Sequence, residues 1–151
     1  MGITTIKPEI LETGKKAREA GRILAASTGK QRNHAIRLMN EKLAEIKPEL
    51  ISANKADVEE AAKAGLSPPL VKRLTINDKV FSYMLKRINS LIDLDDPVGR
   101  IITGHTNTEG LMVQKVTVPL GVILIIYESR PNVTTDAASV CLKSGNPVIL
   151  R

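Results

Sequence analysis

The sequence predicts an α/β chain: a helical N-terminal region, then an edge-type strand, then a βαβ unit that is incomplete as a sheet. Three observations predict it. Apolar residues recur at helical spacing through residues 1–95, the stretch 111–118 alternates apolar with polar from Val113 onward, and Val118 to Arg151 reads as strand, polar loop, helix and strand. A fully buried parallel strand is an unbroken apolar run, and Gly121 to Ile126 is one. One βαβ unit cannot cover both faces of a parallel sheet, so this pattern reads as the front part of a larger protein.

The elements follow in order. Pro8 sits near a helix start, and Ile10, Leu11, Ala17, Ala20, Ile23 and Leu24 form an apolar face. Thr28 and Gln31 have the spacing of a capping box that opens a second helix, with Ile36, Met39, Leu43 and Ile46 on one side. Pro48 ends or kinks it, and Leu50, Ile51, Val58, Ala61 and Ala62 continue an amphipathic pattern to Gly65. Ser67 is placed to N-cap a helix with Pro68 and Pro69 in its first turn. Asn77 caps the next, whose stripe is Phe81, Met84, Leu85, Ile88, Leu91 and Ile92. Asp93 to Asn107 is turn-rich, and Thr103 to Thr108 reads as a polar loop. The alternating strand closes at Pro119. In the last helix Val133, Ala137, Val140 and Cys141 make the apolar stripe, Gly145 supplies a left-handed C′ residue, and Pro147 forbids continuation.

The composition excludes several classes. No apolar run is long enough for a membrane span, and Met1 to Pro8 lacks the basic and apolar regions of a secretory signal. A single Cys allows no internal disulfide and fits a reducing, cytoplasmic setting. The net charge is +6, yet the cations are spread along the helices among Glu and Asp, and with one Phe, two Tyr and no Trp there is little to stack bases. No nucleic-acid or membrane partner is read. His34 and His105 lack partners at ligand spacing, so no metal site is read either.

Chemistry is expected in the polar loop rather than at the cysteine. Cys141 lies mid-helix on the apolar stripe without an adjacent His, where burial makes a thiol inert. It is read as structural. The loop Tyr127 to Asn132 leaves the carboxyl end of a parallel strand and enters a helix, which is where open α/β sheets bind ligands and where amides attract anions. Ser129, Arg130 and Asn132 are its candidate substrate-binding and oxyanion-binding residues. Two readings stay open: Asn132 donates to a ligand, or it N-caps the helix while Glu128 pairs with Arg130. The Gly-x-Gly-x-x-Gly fingerprint is absent, so the common dinucleotide mode is not supported.

A long run of residues carries a resemblance. Pro119-Leu-Gly-Val122, Tyr127-Glu-Ser-Arg-Pro-Asn-Val-Thr134, Asp136-Ala-Ala138 and Cys141-Leu-Lys-Ser-Gly-Asn146 resemble the glutamate-5-semialdehyde dehydrogenases, or γ-glutamyl phosphate reductases, of the aldehyde dehydrogenase superfamily. Weaker agreement extends upstream through Gly65-Leu-Ser67, Arg73-Leu-Thr75 and Asp96-Pro-Val-Gly99. The match covers most of the chain and the family's N-terminal third.

The resemblance implies that residues 1–151 are the N-terminal part of an NADP-binding domain, helical over 1–95 and strand plus βαβ over 111–151. The catalytic domain and its nucleophilic Cys would then lie beyond residue 151, and the chain alone would be inactive. It implies NADPH-dependent reduction of L-glutamate 5-phosphate to L-glutamate 5-semialdehyde in proline biosynthesis, a homo-oligomer paired through the strand near residue 113, and glutamate 5-kinase as a functional partner. An Asn of the superfamily holds the oxyanion from the corresponding loop. Here the loop reads Ser-Arg-Pro-Asn, so the role is open between Ser129 and Asn132. Arg151 stands where the superfamily commonly has a lysine on the cofactor's ribose, and its planar fork would suit a 2′-phosphate. A frayed terminus is the other reading of Arg151. Two alternatives stand beside this reading: another aldehyde or acyl reductase of the superfamily, and a truncated, non-catalytic assembly module.

Overall fold

A computed structural model describes residues 7–151. Residues 1–6 of the predicted helical stretch lie outside the described residues. The order is α1 (Pro8–Ala26), α2 (Gly29–Glu45), α3 (Lys47–Lys63), α4 (Pro68–Leu74), α5 (Asp78–Ser90), β1 (Ile101–Thr106), β2 (Met112–Val116), β3 (Ile123–Ile125), α6 (Pro131–Lys143) and β4 (Val148–Leu150). β1 and β2 form an antiparallel hairpin, and β3 and β4 a separate parallel pair. The α/β class and the βαβ unit are as the sequence predicts.

Local chemistry sets most of the boundaries. The capping box at α2 is complete: the Gln31 amide donates to Thr28 Oγ1 at 3.2 Å, and the Thr28 amide to Gln31 Oε1 at 2.8 Å. Asn77 Oδ1 accepts from the Val80 amide at 2.9 Å. Ser67 occupies the N-cap of α4 without a side-chain bond. Pro48 falls in the first turn of α3, so the chain breaks just before it at Ile46. At the end of α6, Gly145 has φ +72, its amide reaches Leu142 O and the Asn146 amide reaches Cys141 O, the paired bonds of a Schellman motif.

The apolar core lies among the helices. Ile76, Phe81 and Met84 are buried against Leu43, Leu50, Ile51, Val80 and Leu85. The Asn54 amide stitches this layer, accepting from the Ile76 amide at 2.6 Å and donating to Leu74 O at 2.9 Å. Ile36 of α2 and Ile88 of α5 are fully buried, and α2, α5 and α6 pack on one another.

Four expectations need correction. Thr103 to Thr108 is not a loop, because residues 101–106 form β1, paired with β2 across a turn in which Asn107 Oδ1 accepts from the Glu109 and Leu111 amides. Every residue of β1 and β2 is exposed, so β1 has no buried face and no alternation to read. The run Gly121–Ile126 is not fully buried either. Only Ile123–Ile125 is strand, and Leu124 and Ile126 face outward from a sheet of two strands. The α6 stripe differs as well: Val140 is exposed, and the buried residues are Ser139, Cys141 and Lys143. Lastly, Ile10, Leu11 and Ile23 of α1 are exposed.

Polar residues bind the helical layer to the βαβ unit. Arg32 of α2 is 2% exposed. Its Nη2 donates to both Asp96 oxygens at 2.7 and 2.8 Å, its Nε to Lys143 O at 3.2 Å, and its Nη1 to Ser27 O. Lys143 Nζ donates to Asn33 Oδ1 at 2.8 Å and to Leu94 O at 2.6 Å. Asp96 sits over the first turn of α2 so closely that a Cβ at position 29 would collide with its carboxylate, which is why that residue is Gly. Below this, Asn146 is buried, accepting from the Gly121 amide at 3.0 Å and donating to Ser144 Oγ at 2.8 Å.

Burial alone would raise the Asp96 carboxyl, but the Val98 amide, the Arg32 guanidinium and the Lys143 ammonium hold it below its ordinary value of 3.8. A depressed carboxyl contributes stability that is complete above its unfolded value and is lost as pH falls through the folded one. Asp96→Asn is therefore expected to flatten the loss of stability below about pH 4, read by urea unfolding at a series of pH values. Arg32→Leu should lower the unfolding free energy by about 3 kcal/mol at neutral pH, the low end for a broken buried pair because Asp96 stays partly hydrated.

Candidate functional site

The polar loop is held at both ends. On the strand side the parallel ladder continues past β3: the Arg151 amide donates to Ile125 O at 3.0 Å, and the Tyr127 amide to Arg151 O at 2.8 Å. On the helix side the Tyr127 hydroxyl and Thr134 Oγ1 lie 2.5 Å apart, tying the strand's end to the first turns of α6. Between them Ser129 has φ +50, the one non-glycine in the left-handed region among the described residues. Such backbone costs about 1 kcal/mol or more and persists where its surroundings fix it.

The helix starts two residues earlier than an Asn132 cap would require. Pro131 takes the first helical position, where its missing N–H costs nothing, so Arg130 occupies the N-cap and makes no side-chain cap bond. Asn132 thus lies inside the helix. The N-cap reading is corrected: its Nδ2 donates instead to Asp136 Oδ2 at 3.3 Å. Glu128 and Arg130 are both exposed and form no ion pair, which removes the other half of the capping alternative.

Ser129, Arg130 and Asn132 thus share one loop and helix start at the carboxyl end of β3. Arg151 is joined to the base of that loop by backbone bonds. Both its N–H and its C=O bond to the β3 side, and its exposed side chain borders a cleft with Leu124, Ile126 and Ile149. Tyr127, Thr134 and Asp136 are the supporting residues that sequence reasoning missed. The signal for Asp136 was its spacing of four from Asn132, which puts both on one helix face.

Cys141 lies elsewhere. It is buried, and burial pushes its thiol up. Among the described residues no group of three His, Cys, Asp or Glu side chains could hold a metal, and no helix is long and apolar enough to cross a membrane.

No family model matches the chain. A γ-glutamyl phosphate reductase from Thermotoga petrophila is 46% identical over 143 residues, 95% of this chain and 34% of the relative. The crystal structure of the γ-glutamyl phosphate reductase of Thermotoga maritima superposes with a TM-score of 0.91 at 45% identity, covering 95% of this chain and 34% of that one. A Bacillus subtilis structure assigned to the aldehyde dehydrogenases matches with a TM-score of 0.66 at 16% identity, over 94% of this chain and 29% of that one, a likeness of fold alone. The chain spans about a third of the length of the curated relatives it matches. Over nearly all of its length the chain is similar in sequence and in fold to the N-terminal part of the γ-glutamyl phosphate reductases.

Proposed function

We propose that the protein to which this chain belongs reduces L-glutamate 5-phosphate to L-glutamate 5-semialdehyde with NADPH, releasing phosphate, in proline biosynthesis in the cytoplasm. The observation that carries the reading is 46% identity to a γ-glutamyl phosphate reductase, with the polar loop held at the carboxyl end of β3. Residues 1–151 serve as the N-terminal part of the NADP-binding domain. Catalysis needs a cysteine beyond residue 151, because Cys141 is buried near the end of α6, away from the loop at its start.

The residues present fit the cofactor. Arg151 offers a guanidinium suited to a 2′-phosphate, and it borders an apolar cleft that can receive a flat ring. NADPH, when bound, supplies the hydride. This chain's residues bind and orient: the exposed Arg130 guanidinium, which makes no ion pair among the described residues, meets the acyl phosphate or the substrate carboxylate, and Asn132 donates to the oxygen on which negative charge develops. The positive end of α6 favours the same anion. Homo-oligomerisation through the exposed β1–β2 ribbon, and functional coupling to glutamate 5-kinase, belong to the same proposal.

The exposed ribbon also favours a second reading, a non-catalytic assembly module. The coding sequence after Arg151 separates them: a continuation that supplies a further Cys keeps the enzyme, and a stop codon removes it. Residues 1–151 alone are expected to show no NADPH oxidation with substrate.

Asn132→Ala in the full-length protein should lower turnover about a hundredfold, the loss of about 3 kcal/mol seen when one oxyanion donor is removed. Its melting temperature should barely move, since no cap is lost. A lowered melting point with unchanged turnover would reduce Asn132 to a structural residue. Arg130→Lys keeps the charge but loses the fork, and is expected to raise the Michaelis constant for substrate. For Cys141, slow labelling by a thiol reagent in the native state and fast labelling in urea are expected. Rapid native labelling would contradict its burial.

A further inference from the structure

Asp136 lies one turn along α6 from Asn132, on the same face. Its Oδ2 accepts from Asn132 Nδ2 at 3.3 Å, and its Oδ1 lies 3.9 Å from Arg87 Nε of α5. The carboxylate is three-quarters covered, while Arg87 is half exposed. α5 and α6 pack together, so Arg87 approaches Asp136 from a neighbouring element and not from its own helix.

The chemistry of the pair fixes which way the Asn132 amide turns. An ionised carboxylate only accepts, whereas an amide has a donor end and an acceptor end. Turning Asn132 Oδ1 toward Asp136 would set two acceptors against each other. The carboxylate therefore selects the rotamer with nitrogen inward, and this uses one of the two N–H groups. The other N–H remains to meet an anionic oxygen. The Tyr127–Thr134 bond meanwhile holds the same end of the helix from the strand side, so backbone and amide are restrained separately.

From this arrangement we infer that Asp136 is a positioning residue: it presents the Asn132 amide as a donor to the developing oxyanion, and Arg87 keeps its carboxylate in place. The inference rests on the reading of Asn132 as that donor. Asp136 touches neither substrate nor cofactor.

The test is steady-state kinetics on the full-length protein with Asp136→Ala, Asp136→Asn, Asn132→Ala and the Asn132→Ala/Asp136→Ala double variant, alongside thermal melting. Asp136→Ala should lower kcat about tenfold with KM within about twofold, because a misaimed donor is lost mainly in the transition state. Asp136→Asn keeps an oxygen acceptor and should restore kcat to within about threefold of the parent. In the Asn132→Ala background, Asp136→Ala should change kcat by less than about twofold, since the group it positions is already gone.

An unchanged kcat in Asp136→Ala, with Asn132→Ala still impaired, would overturn this inference and leave the reading of Asn132 standing. An equal fall in both backgrounds would show that Asp136 acts through something other than Asn132, and would overturn it as well. Full turnover in Asn132→Ala would remove the donor itself and the inference with it. Should Asp136→Ala fail to fold, Asp136→Asn and its double variant with Asn132→Ala carry the same comparison: the inference requires any loss in Asp136→Asn to vanish in the double variant.

Discussion

Two buried cations decide how the rest of the molecule fits together. Arg32 and Lys143 come from helices far apart in sequence, and both are almost wholly removed from water. A buried charge is costly unless its donors are satisfied. Here Arg32 finds a bidentate carboxylate and two backbone carbonyls, and Lys143 finds an amide oxygen and a carbonyl from the segment that ends the helical layer. The acceptors come from the junction of α1 and α2, from α2, from the segment after α5 and from the last turn of α6. Lys143 also sits where a positive charge complements the helix dipole. Apolar contacts alone would let α6 slide or rotate on α2 and α5. Directional bonds at one end leave a single arrangement, and the loop at the other end inherits its position from it.

Why some of this was readable and some was not follows from which force sets each element. Thr28 with Gln31, Asn77, Pro48 and Gly145 act within a few residues of themselves, so their roles were legible. The βαβ unit was legible for a similar reason, since apolar runs bracket a polar turn. β1 was not, because a ribbon exposed on both faces has no buried side to impose a pattern. The orientation of α6 was misread through an assumption about charge. Ser139 and Lys143 look like a solvated face, and only partners 49 to 111 residues away in sequence make that face the inside.

The site divides along the same line. That the loop Ser129–Asn132 is the place to look came from its location between a parallel strand and a helix. Which of its residues aims where depended on Pro131. By taking the first helical position it moves Asn132 inward, from a cap to a side chain that meets Asp136. A shift of two residues exchanges a stabilising role for one compatible with ligand binding. Arg151 was placed by resemblance, and its backbone bonds to Ile125 and Tyr127 put it beside the loop.

Asn146 shows how the order of residues guards a joint over time. Its amide fills the rung below the β3–β4 ladder, accepting from Gly121 and donating to Ser144. Hydrolysis to Asp would replace that donor with an oxygen facing the Ser144 carbonyl, setting acceptor against acceptor in a buried place. Asparagine usually ages by ring closure, in which the next residue's backbone nitrogen attacks the side chain and loses its proton. The next residue here is Pro147, whose nitrogen has no proton to lose. The proline that stops α6 from continuing therefore also closes the main route of chemical ageing at the amide on which the sheet's first rung depends.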